Sequence, residues 1–266
     1  MSPGTLYIVG LGLSPGLVSL RAIEVLRSCD HVFYEEYTSI PSEGSIGDIE
    51  AIVGKRFRRL SRRDLEDLSA KEILERLSDG KIVCLASWGD PIAATTHIYI
   101  ATEVIRRGYR YSYIPGVSAV ITALGYSGLM VYRLGRVMTL VRPRSADEAR
   151  GIYERIMETL GRGYHVLLLL EMDSEGGYYM RVDEAARILI EISRSLGHEI
   201  RDLFGVALAG LGSKNQAICY SSLEDLSKTA LEPIPQMLIL VGSLYYTEKE
   251  YIDSMVRKHG KCWNPI

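Results

Sequence analysis

Apolar residues follow two different periods along the chain, and their alternation predicts a mixed α/β fold. Short, nearly continuous apolar runs are typical of buried strands, whereas apolar residues spaced three and four apart predict helices. The predicted strands cover residues 6–10, 31–35, 81–86, 111–114, 136–141, 164–171, 204–209 and 236–241. The predicted helices cover residues 17–28, 46–53, 64–78, 95–107, 117–125, 142–160, 183–196 and 245–257. We therefore expect two α/β domains, residues 1–134 and 135–266, with a cleft between them.

Composition narrows the class of protein. The 266 residues are 47% hydrophobic and 24% charged, which is ordinary for a globular protein with a full core. The net charge of −2 gives no electrostatic argument for nucleic acid. The first residues lack the basic start and apolar core of a signal peptide, and the longest apolar runs are too short to cross a bilayer. We expect a cytoplasmic protein that binds neither nucleic acid nor membrane.

The residues that most often bind metals or form cross-links are scattered. The four cysteines, Cys29, Cys84, Cys219 and Cys262, include no CxxC pair, and the five histidines show no ligand spacing. Buried free thiols are therefore favoured over disulfides or metal ligands. No metal site is expected.

Three predicted strand ends contain residues that allow a close backbone approach. GLG at 10–12 follows the first strand, GDP at 89–91 follows the apolar run 81–86, and PG at 115–116 precedes a helix. Glycine lets a backbone come close to a neighbour or a ligand. Open α/β sheets place their ligands at the carboxyl ends of their strands. We therefore expect a small molecule to bind at these three turns.

The stretch GLGLSPG, residues 10–16, also has to be compared with a dinucleotide-binding motif. A G-x-G-x-x-G pattern needs a glycine where Pro15 stands, and Gly16 comes one position too late. Glu35 or Glu36, however, ends the second strand at about the distance of a ribose-binding acid. An NAD-binding protein therefore stays an alternative, as does a tight turn that binds no ligand.

Together, the three turns resemble those of the S-adenosylmethionine methyltransferases of the tetrapyrrole methylase class. Within that class, YEEYTSI at 34–40, GDPIAATTH at 89–97 and GLMVYRLG at 128–135 are similar to the branch that methylates the diphthamide precursor. That precursor is a modified histidine of elongation factor 2. The resemblance runs from Leu6 nearly to the C-terminus and is strongest before Pro143. A tetrapyrrole C-methyltransferase, with the same fold and cofactor, stays an alternative.

The resemblance implies S-adenosylmethionine as the cofactor, in the cleft between the domains, elongation factor 2 as the protein substrate, and a homodimer. The implied cofactor contacts are Leu13, Asp90, Ala93, Ala119, Val120, Leu170, Leu211 and Gln236. Gln236 stands where the family often has a histidine. The candidates on the substrate side are Tyr37, Thr38, Ser39 and Thr96.

Methyl transfer from a sulfonium to an amine needs alignment and exclusion of water, not a metal or a protein nucleophile. The amine must lose a proton, and His97 is a candidate base, with a capping or structural role as its alternative. The ring faces of Tyr37 or Trp88 could attract a methylated ammonium product.

The run 55–63 contains six basic residues, which we interpret as a solvated strand and loop rather than a surface for an acidic partner.

Overall fold

The computed structural model describes residues 3–174 and 176–264, which divide into two compact units. The first unit is Met1–Ala119 with Ser174–Gly177, and the second is Val120–Asp173 with Tyr178–Ile266. The division falls ahead of the expected boundary after residue 134. Residues beyond Ala119 belong to the second unit because they bond to it: the Tyr220 hydroxyl donates to the carbonyl of Ser127 over 2.7 Å.

The first unit alternates strands and helices in chain order. These elements are β1 (Thr5–Gly10), α1 (Leu20–Ser28), β2 (His31–Glu35), α2 (Ile46–Val53), β3 (Arg58–Leu60), α3 (Lys71–Ser78), β4 (Ile82–Ser87), α4 (His97–Arg106) and β5 (Arg110–Ile114). The strands form a parallel sheet in the order β3-β2-β4-β1-β5. Because neighbouring strands run in one direction, the carboxyl ends of β1, β4 and β5 lie at the same edge.

Alternate residues of these strands face two separate hydrophobic clusters. Val9 of β1 packs in a cluster with residues of α1 and α2, whereas Ile8 packs with residues of α3 and α4. Successive strand residues point to opposite faces of a sheet, so helices cover both faces of this one. The nearly continuous apolar runs of β1 and β4 follow from this arrangement.

Two helices of the first unit differ from the sequence prediction. α1 begins at Leu20 rather than at 17, because the Ser19 hydroxyl caps it by accepting from the Ala22 N–H over 3.1 Å. Leu20, an apolar residue of the predicted helix 17–28, is 84% exposed. The predicted helix 64–78 is interrupted at Ser69 and Ala70, which both adopt positive φ, and α3 starts after them.

The second unit contains a mixed sheet. Its elements are α5 (Ala119–Ser127), β6 (Leu134–Leu140), α6 (Ala146–Gly161), β7 (His165–Leu170), β8 (Met172–Asp173), β9 (Tyr178–Tyr179), α7 (Val182–Ser195), β10 (Phe204–Ala209), β11 (Ala217–Ser222), α8 (Leu223–Leu226), β12 (Gln236–Leu240), α9 (Tyr246–His259) and β13 (Cys262–Trp263). The sheet order is β13-β11-β10-β12-β7-β6. β6 and β7 pair in parallel, and the other neighbouring pairs are antiparallel.

A fully buried pair of ionisable side chains, His165 and Glu248, joins three parts of the second unit. Nδ1 of His165 accepts from the Gly242 N–H over 3.1 Å, so Nε2 holds the hydrogen and donates to Glu248 over 3.2 Å. Burial lowers the pKa of His165, in agreement with a neutral ring. Burial acts to raise the pKa of Glu248, but the N–H groups of Met130 and Tyr245, together with His165, hold it below its usual range.

The four cysteines form two disulfides, so the expectation of buried free thiols is wrong. Cys29 at the end of α1 bonds to Cys84 of β4, and Cys219 of β11 bonds to Cys262 of β13. The partners are 55 and 43 residues apart in sequence. At such separations the pairing follows from helix packing and from strand register, neither of which is visible in cysteine spacing.

The two disulfides differ in exposure, which predicts a difference in reduction. Cys262 is exposed, whereas Cys29 and Cys84 are 2% and 0% exposed. Mild reductant on the native protein, followed by alkylation and mass spectrometry, should label Cys262 and its partner and leave Cys29 and Cys84 unlabelled. Each cross-link should contribute about 4 kcal/mol to stability in the chain-entropy model, so full reduction should lower the unfolding temperature.

The control is the same labelling in guanidinium, where unfolding removes the difference and both pairs should react together. Equal reaction of both pairs in the native protein would contradict the burial of the first disulfide.

Candidate functional site

Glycines bring the ends of β1, β4 and β5 into direct backbone contact. Gly89 donates to the carbonyl of Gly12 over 2.7 Å, and Gly12 donates back over 3.2 Å. A Cβ built on Gly10 would lie 2.5 Å from the nitrogen of Gly116, and one on Gly116 would lie 2.0 Å from the oxygen of Gly89. We call Gly10, Gly12, Gly89 and Gly116 the glycine cluster. It joins the three turns that the sequence singled out.

Asp90, expected to contact the cofactor, binds the protein with both carboxylate oxygens. Oδ1 accepts from the N–H groups of Ile92 and Ala93 over 3.0 and 3.2 Å. Oδ2 accepts from the Gly116 N–H over 3.2 Å and from the hydroxyl of Tyr113. Burial and the hydrogen bond to Asp90 raise the pKa of Tyr113, so its phenol keeps the donated proton. Asp90 therefore ties β5 to the turn after β4.

The other first-unit candidates lie close to the same strand ends. Leu13 follows β1 and is 9% exposed, and its carbonyl accepts from both the N–H and the hydroxyl of Ser42. Ala93 is exposed beside Asp90, and Ala119 begins α5 after the Pro-Gly turn. The topology of the first unit thus places these candidates after three neighbouring strands, where such sheets bind ligands.

Strand register brings three second-unit candidates to one end of the second sheet. Leu170 ends β7, Leu211 follows β10 and Gln236 begins β12. Because β12 is antiparallel to both β7 and β10, the start of β12 lies beside the ends of its two neighbours. Val120 lies in α5 and is half-buried.

The side chain of Gln236 is fully engaged by the protein. Its Oε1 accepts from the Val182 N–H over 2.8 Å, and its Nε2 donates to the carbonyls of Leu231 and Pro233 over 2.6 and 2.9 Å. The amide therefore holds the start of α7 beside β12. The family resemblance implies Gln236 as a cofactor contact, and the sequence contains no signal for this bracing role.

Three substrate-side candidates gather around or near Glu35, a residue that sequence reasoning considered only for a ribose. Glu35 is fully buried, and its Oε1 accepts from the N–H groups of Tyr37 and Thr38 over 2.5 and 2.6 Å. Its Oε2 accepts from the Thr38 hydroxyl. The Ser39 hydroxyl donates to the carbonyl of Trp88 over 3.1 Å. A carboxylate engaged in this way is not free to bind a ribose, which weighs against an NAD site.

Tyr37 and Trp88 are 4% and 2% exposed, which weighs against the expectation that their rings attract a methylated ammonium product. Trp88 donates to the Tyr34 hydroxyl over 3.0 Å, and the Arg62 guanidinium lies 4.9 Å from the centre of the Tyr37 ring. A cation therefore already lies over the ring of Tyr37. Thr96, in contrast, is exposed at the start of α4.

His97 is 1% exposed, which places its ring inside the first unit. Nδ1 lies 2.8 Å from the carbonyl oxygen of Pro91. Since a carbonyl only accepts, Nδ1 must donate. Nε2 lies 3.7 Å from Oε2 of Glu35. This geometry favours the structural alternative over a base that touches substrate.

The basic run 55–63 is largely neutralised by glutamates. The ion pairs are Arg56–Glu50, Arg58–Glu72, Arg59–Glu36 and Arg62–Glu66, with distances of 2.8, 2.7, 3.3 and 3.6 Å. Its middle forms the edge strand β3, in agreement with a solvated strand and loop.

Neither a membrane span nor a metal cluster is found in residues 3–174 and 176–264. No helix there is long and apolar enough to cross a bilayer, and no group of three or more His, Cys, Asp or Glu side chains is placed to hold a metal ion.

Comparison with known proteins identifies the class. The model of the Tetrapyrrole (Corrin/Porphyrin) Methylases matches residues 5–227, and the chain belongs to this family of S-adenosylmethionine-dependent methyltransferases. Its similar relatives include the diphthine synthase of Pyrobaculum neutrophilum, 36% identical over 258 residues, which span 94% of this chain and 97% of that protein. The diphthine synthase of Methanopyrus kandleri is 37% identical over 259 residues, 94% and 95% of the two chains.

A crystal structure of diphthine synthase has a similar fold. It matches with a TM-score of 0.84 at 30% identity, covering 94% of this chain and 95% of that one. The similarity therefore extends through both units, including the second, where the sequence resemblance was weaker.

The glycine cluster predicts a strong effect of a single methyl group. Gly116→Ala places Cβ 2.0 Å from the Gly89 oxygen, so it should lower the free energy of unfolding by about 1–3 kcal/mol and weaken cofactor binding. Gly125→Ala is the matched control, because its Cβ meets nothing within 4 Å and alanine favours a helix. Denaturant unfolding and calorimetric titration measure both effects. Equal stability of the two variants would refute the close approach.

The Asp90 hydrogen bonds predict a graded loss of stability. Asp90→Ala orphans donors at the ends of β4 and β5 and should lower the free energy of unfolding by about 1–3 kcal/mol. Asp90→Asn keeps one acceptor oxygen and should lie between the alanine variant and the unaltered protein. Asp253→Ala, which breaks an exposed pair with Lys249, should cost less than about 1 kcal/mol. If Asp90→Ala lost cofactor affinity without losing stability, Asp90 would act as a direct ligand instead.

Proposed function

We propose that this chain transfers methyl groups from S-adenosylmethionine to the amino group of the modified histidine, the diphthamide precursor, on elongation factor 2, giving diphthine. The observation that carries the proposal is similarity to diphthine synthases across 94% of the chain at 36–37% identity. A tetrapyrrole C-methyltransferase would share the family but would leave this full-length similarity unexplained. The buried, engaged Glu35 further disfavours NAD.

The reaction demands accurate placement more than it demands catalytic groups. S-adenosylmethionine, when bound, supplies a methyl group that is already activated by its sulfonium. The chain has to hold donor and acceptor at near-attack distance and keep water out. A backbone in which glycines touch and Asp90 bonds two strand ends suits this task, because it resists small displacements.

The glycine cluster fits the cofactor at Gly89, where a Cβ would meet nothing within 4 Å and the backbone therefore borders open space. The start of α5 directly follows the Pro-Gly turn, and a helix N-terminus favours a carboxylate. We assign bracing roles to Asp90 and Gln236, whose polar groups are engaged by the protein. The proposed contacts that they support are Leu13, Ala93, Ala119, Val120, Leu170 and Leu211.

The second unit supports a homodimer. It exposes apolar side chains on two neighbouring segments: Val131 and Tyr132 are 53% and 83% exposed, and Tyr245 and Tyr246 are 58% and 73% exposed. The two segments are neighbours because Glu248 accepts from the N–H of Met130 over 2.8 Å. Exposed aromatic groups of this kind are typical of protein interfaces. A second copy would cover them, and the reaction would take place in the cytoplasm, where elongation factor 2 works.

The substrate is tested by incubating the protein with S-adenosylmethionine and elongation factor 2 that contains the unmethylated precursor. Mass spectrometry of the modified peptide should show stepwise methyl gain, absent when the target histidine is replaced. The Gly116→Ala variant should be slower than Gly125→Ala, its matched control. No methyl gain, together with turnover of a tetrapyrrole acid, would replace this assignment by the tetrapyrrole alternative.

The cofactor is tested separately by calorimetric titration. S-adenosylmethionine and S-adenosylhomocysteine should both bind, and NAD should give no heat. Binding of NAD alone would overturn the cofactor assignment, whatever the substrate.

A further inference from the structure

The two sequence stretches 34–40 and 89–97 meet at a buried pair of ionisable side chains, Glu35 and His97. Methyl transfer needs a base to take the amine proton, but the burial of His97 disfavours it in that role, which leaves the pair without a part in the reaction. We propose that Glu35 and His97 form a buried charge pair, with His97 protonated on both ring nitrogens, that positions the turn 36–39 and the loop 91–96 for the acceptor. The effect of the pair on catalysis rests on the proposed function, whereas the existence of the pair does not.

Glu35 needs a cation because it is completely buried. The other charged groups that act on the phenols of Tyr34 and Tyr37, which lie on either side of Glu35 in the sequence, are Glu36, Glu66, Arg59 and Arg62. Arg59 pairs with Glu36 and Arg62 pairs with Glu66. Within the described parts of the chain, this leaves His97 as the cation that faces Glu35.

The ring of His97 must hold a hydrogen on each nitrogen to satisfy its two neighbours. Nδ1 donates to Pro91, which requires one hydrogen. Nε2 is buried without a hydrogen-bond partner and faces Glu35 across 3.7 Å. With its hydrogen on Nδ1 alone, the ring would point a lone pair at the carboxylate. A second hydrogen on Nε2 turns this repulsion into attraction.

His97 anchors a loop that holds itself in a strained conformation. The Pro91 carbonyl accepts from both His97 and the Thr95 hydroxyl, the latter over 2.5 Å. Between them, Ala94 has a φ of 61°, a left-handed conformation that is costly for alanine. The loop keeps this shape only while its ends are fixed, and its exposed members include Ala93 and Thr96.

Glu35 anchors the opposite side. It fixes the backbone of Tyr37 and Thr38, and the carbonyls of Glu36 and Tyr37 accept from the hydroxyl of Ser174 over 3.2 and 3.3 Å. The turn 36–39 is thus also the attachment point for a distant stretch of chain. One buried pair therefore sets the positions of three segments.

The pair His165–Glu248 provides an internal comparison. There Nδ1 accepts from a backbone N–H, so the ring is neutral, with its hydrogen on Nε2. The same two residue types therefore occur in one protein with opposite hydrogen-bonding demands on Nδ1. This difference is directly measurable.

The first test is the ¹⁵N spectrum of the histidine rings in the full chain at neutral pH, with the His97 signals assigned by their loss in His97→Asn. His97 should show the shifts of a doubly protonated ring, and His165 those of a neutral ring. A neutral His97 would overturn the charge pair. This result does not depend on which substrate the enzyme uses.

The second test separates positioning from proton transfer. His97→Asn and Glu35→Gln should each raise KM for elongation factor 2 roughly tenfold or more, with kcat changed less and the pH profile retained. The KM of the double variant should not exceed that of the more impaired single variant. The pair acts as a unit, so the second substitution removes nothing further. His198→Asn, at an exposed site, is the control and should behave as the unaltered protein.

A loss confined to kcat with a shifted pH profile would overturn positioning and make His97 a base. If the unaltered protein methylates no elongation factor 2, the proposed function fails, while the ring spectra still decide whether the charge pair exists.

Discussion

The close contact between main-chain atoms at the glycine cluster is the constraint on which the site depends. At the ends of β1, β4 and β5, the backbones of Gly10, Gly89 and Gly116 approach so closely that a Cβ on Gly10 or on Gly116 would overlap main-chain atoms. The three turns can therefore neither slide nor separate independently. Asp90 adds hydrogen bonds across the same contact. A rigid platform of backbone and the Asp90 carboxylate results, next to first-unit residues that the family resemblance assigns to the cofactor.

Several polar residues that suggest chemistry in the sequence prove to be structural. Asp90, Glu35 and Gln236 each direct their polar atoms toward backbone groups of their own unit. Such groups are buried only when they are hydrogen-bonded, and here the bonds fix loops rather than ligands. The residues left to meet a small molecule are mostly small or apolar. This division suits a reaction whose electrophile is already activated.

Much of the fold could be predicted from the sequence because strands that are buried on both faces of a sheet have nearly continuous apolar runs. β1, β2, β4, β7 and β10 lie within a residue or two of the predicted runs. β11 and β13 were missed, because one mixes polar with apolar residues and the other has two residues. The exposure of Leu20 and both disulfides also escaped prediction, since each depends on partners distant in sequence. For the site, the positions at strand ends were predicted, but the direction of each side chain was not.

The attachment of Ser174–Gly177 to the first unit has a consequence for the order in which the protein is made. Domains generally fold as they leave the ribosome, N-terminal part first. Residues up to Ala119 supply the whole five-stranded sheet, yet the carbonyls of Glu36 and Tyr37 receive the Ser174 hydroxyl only after much of the second unit has been synthesised. The nascent first unit thus forms its sheet early and acquires this contact late, so completion of the turn beside Glu35 waits until the chain has been synthesised past Ser174.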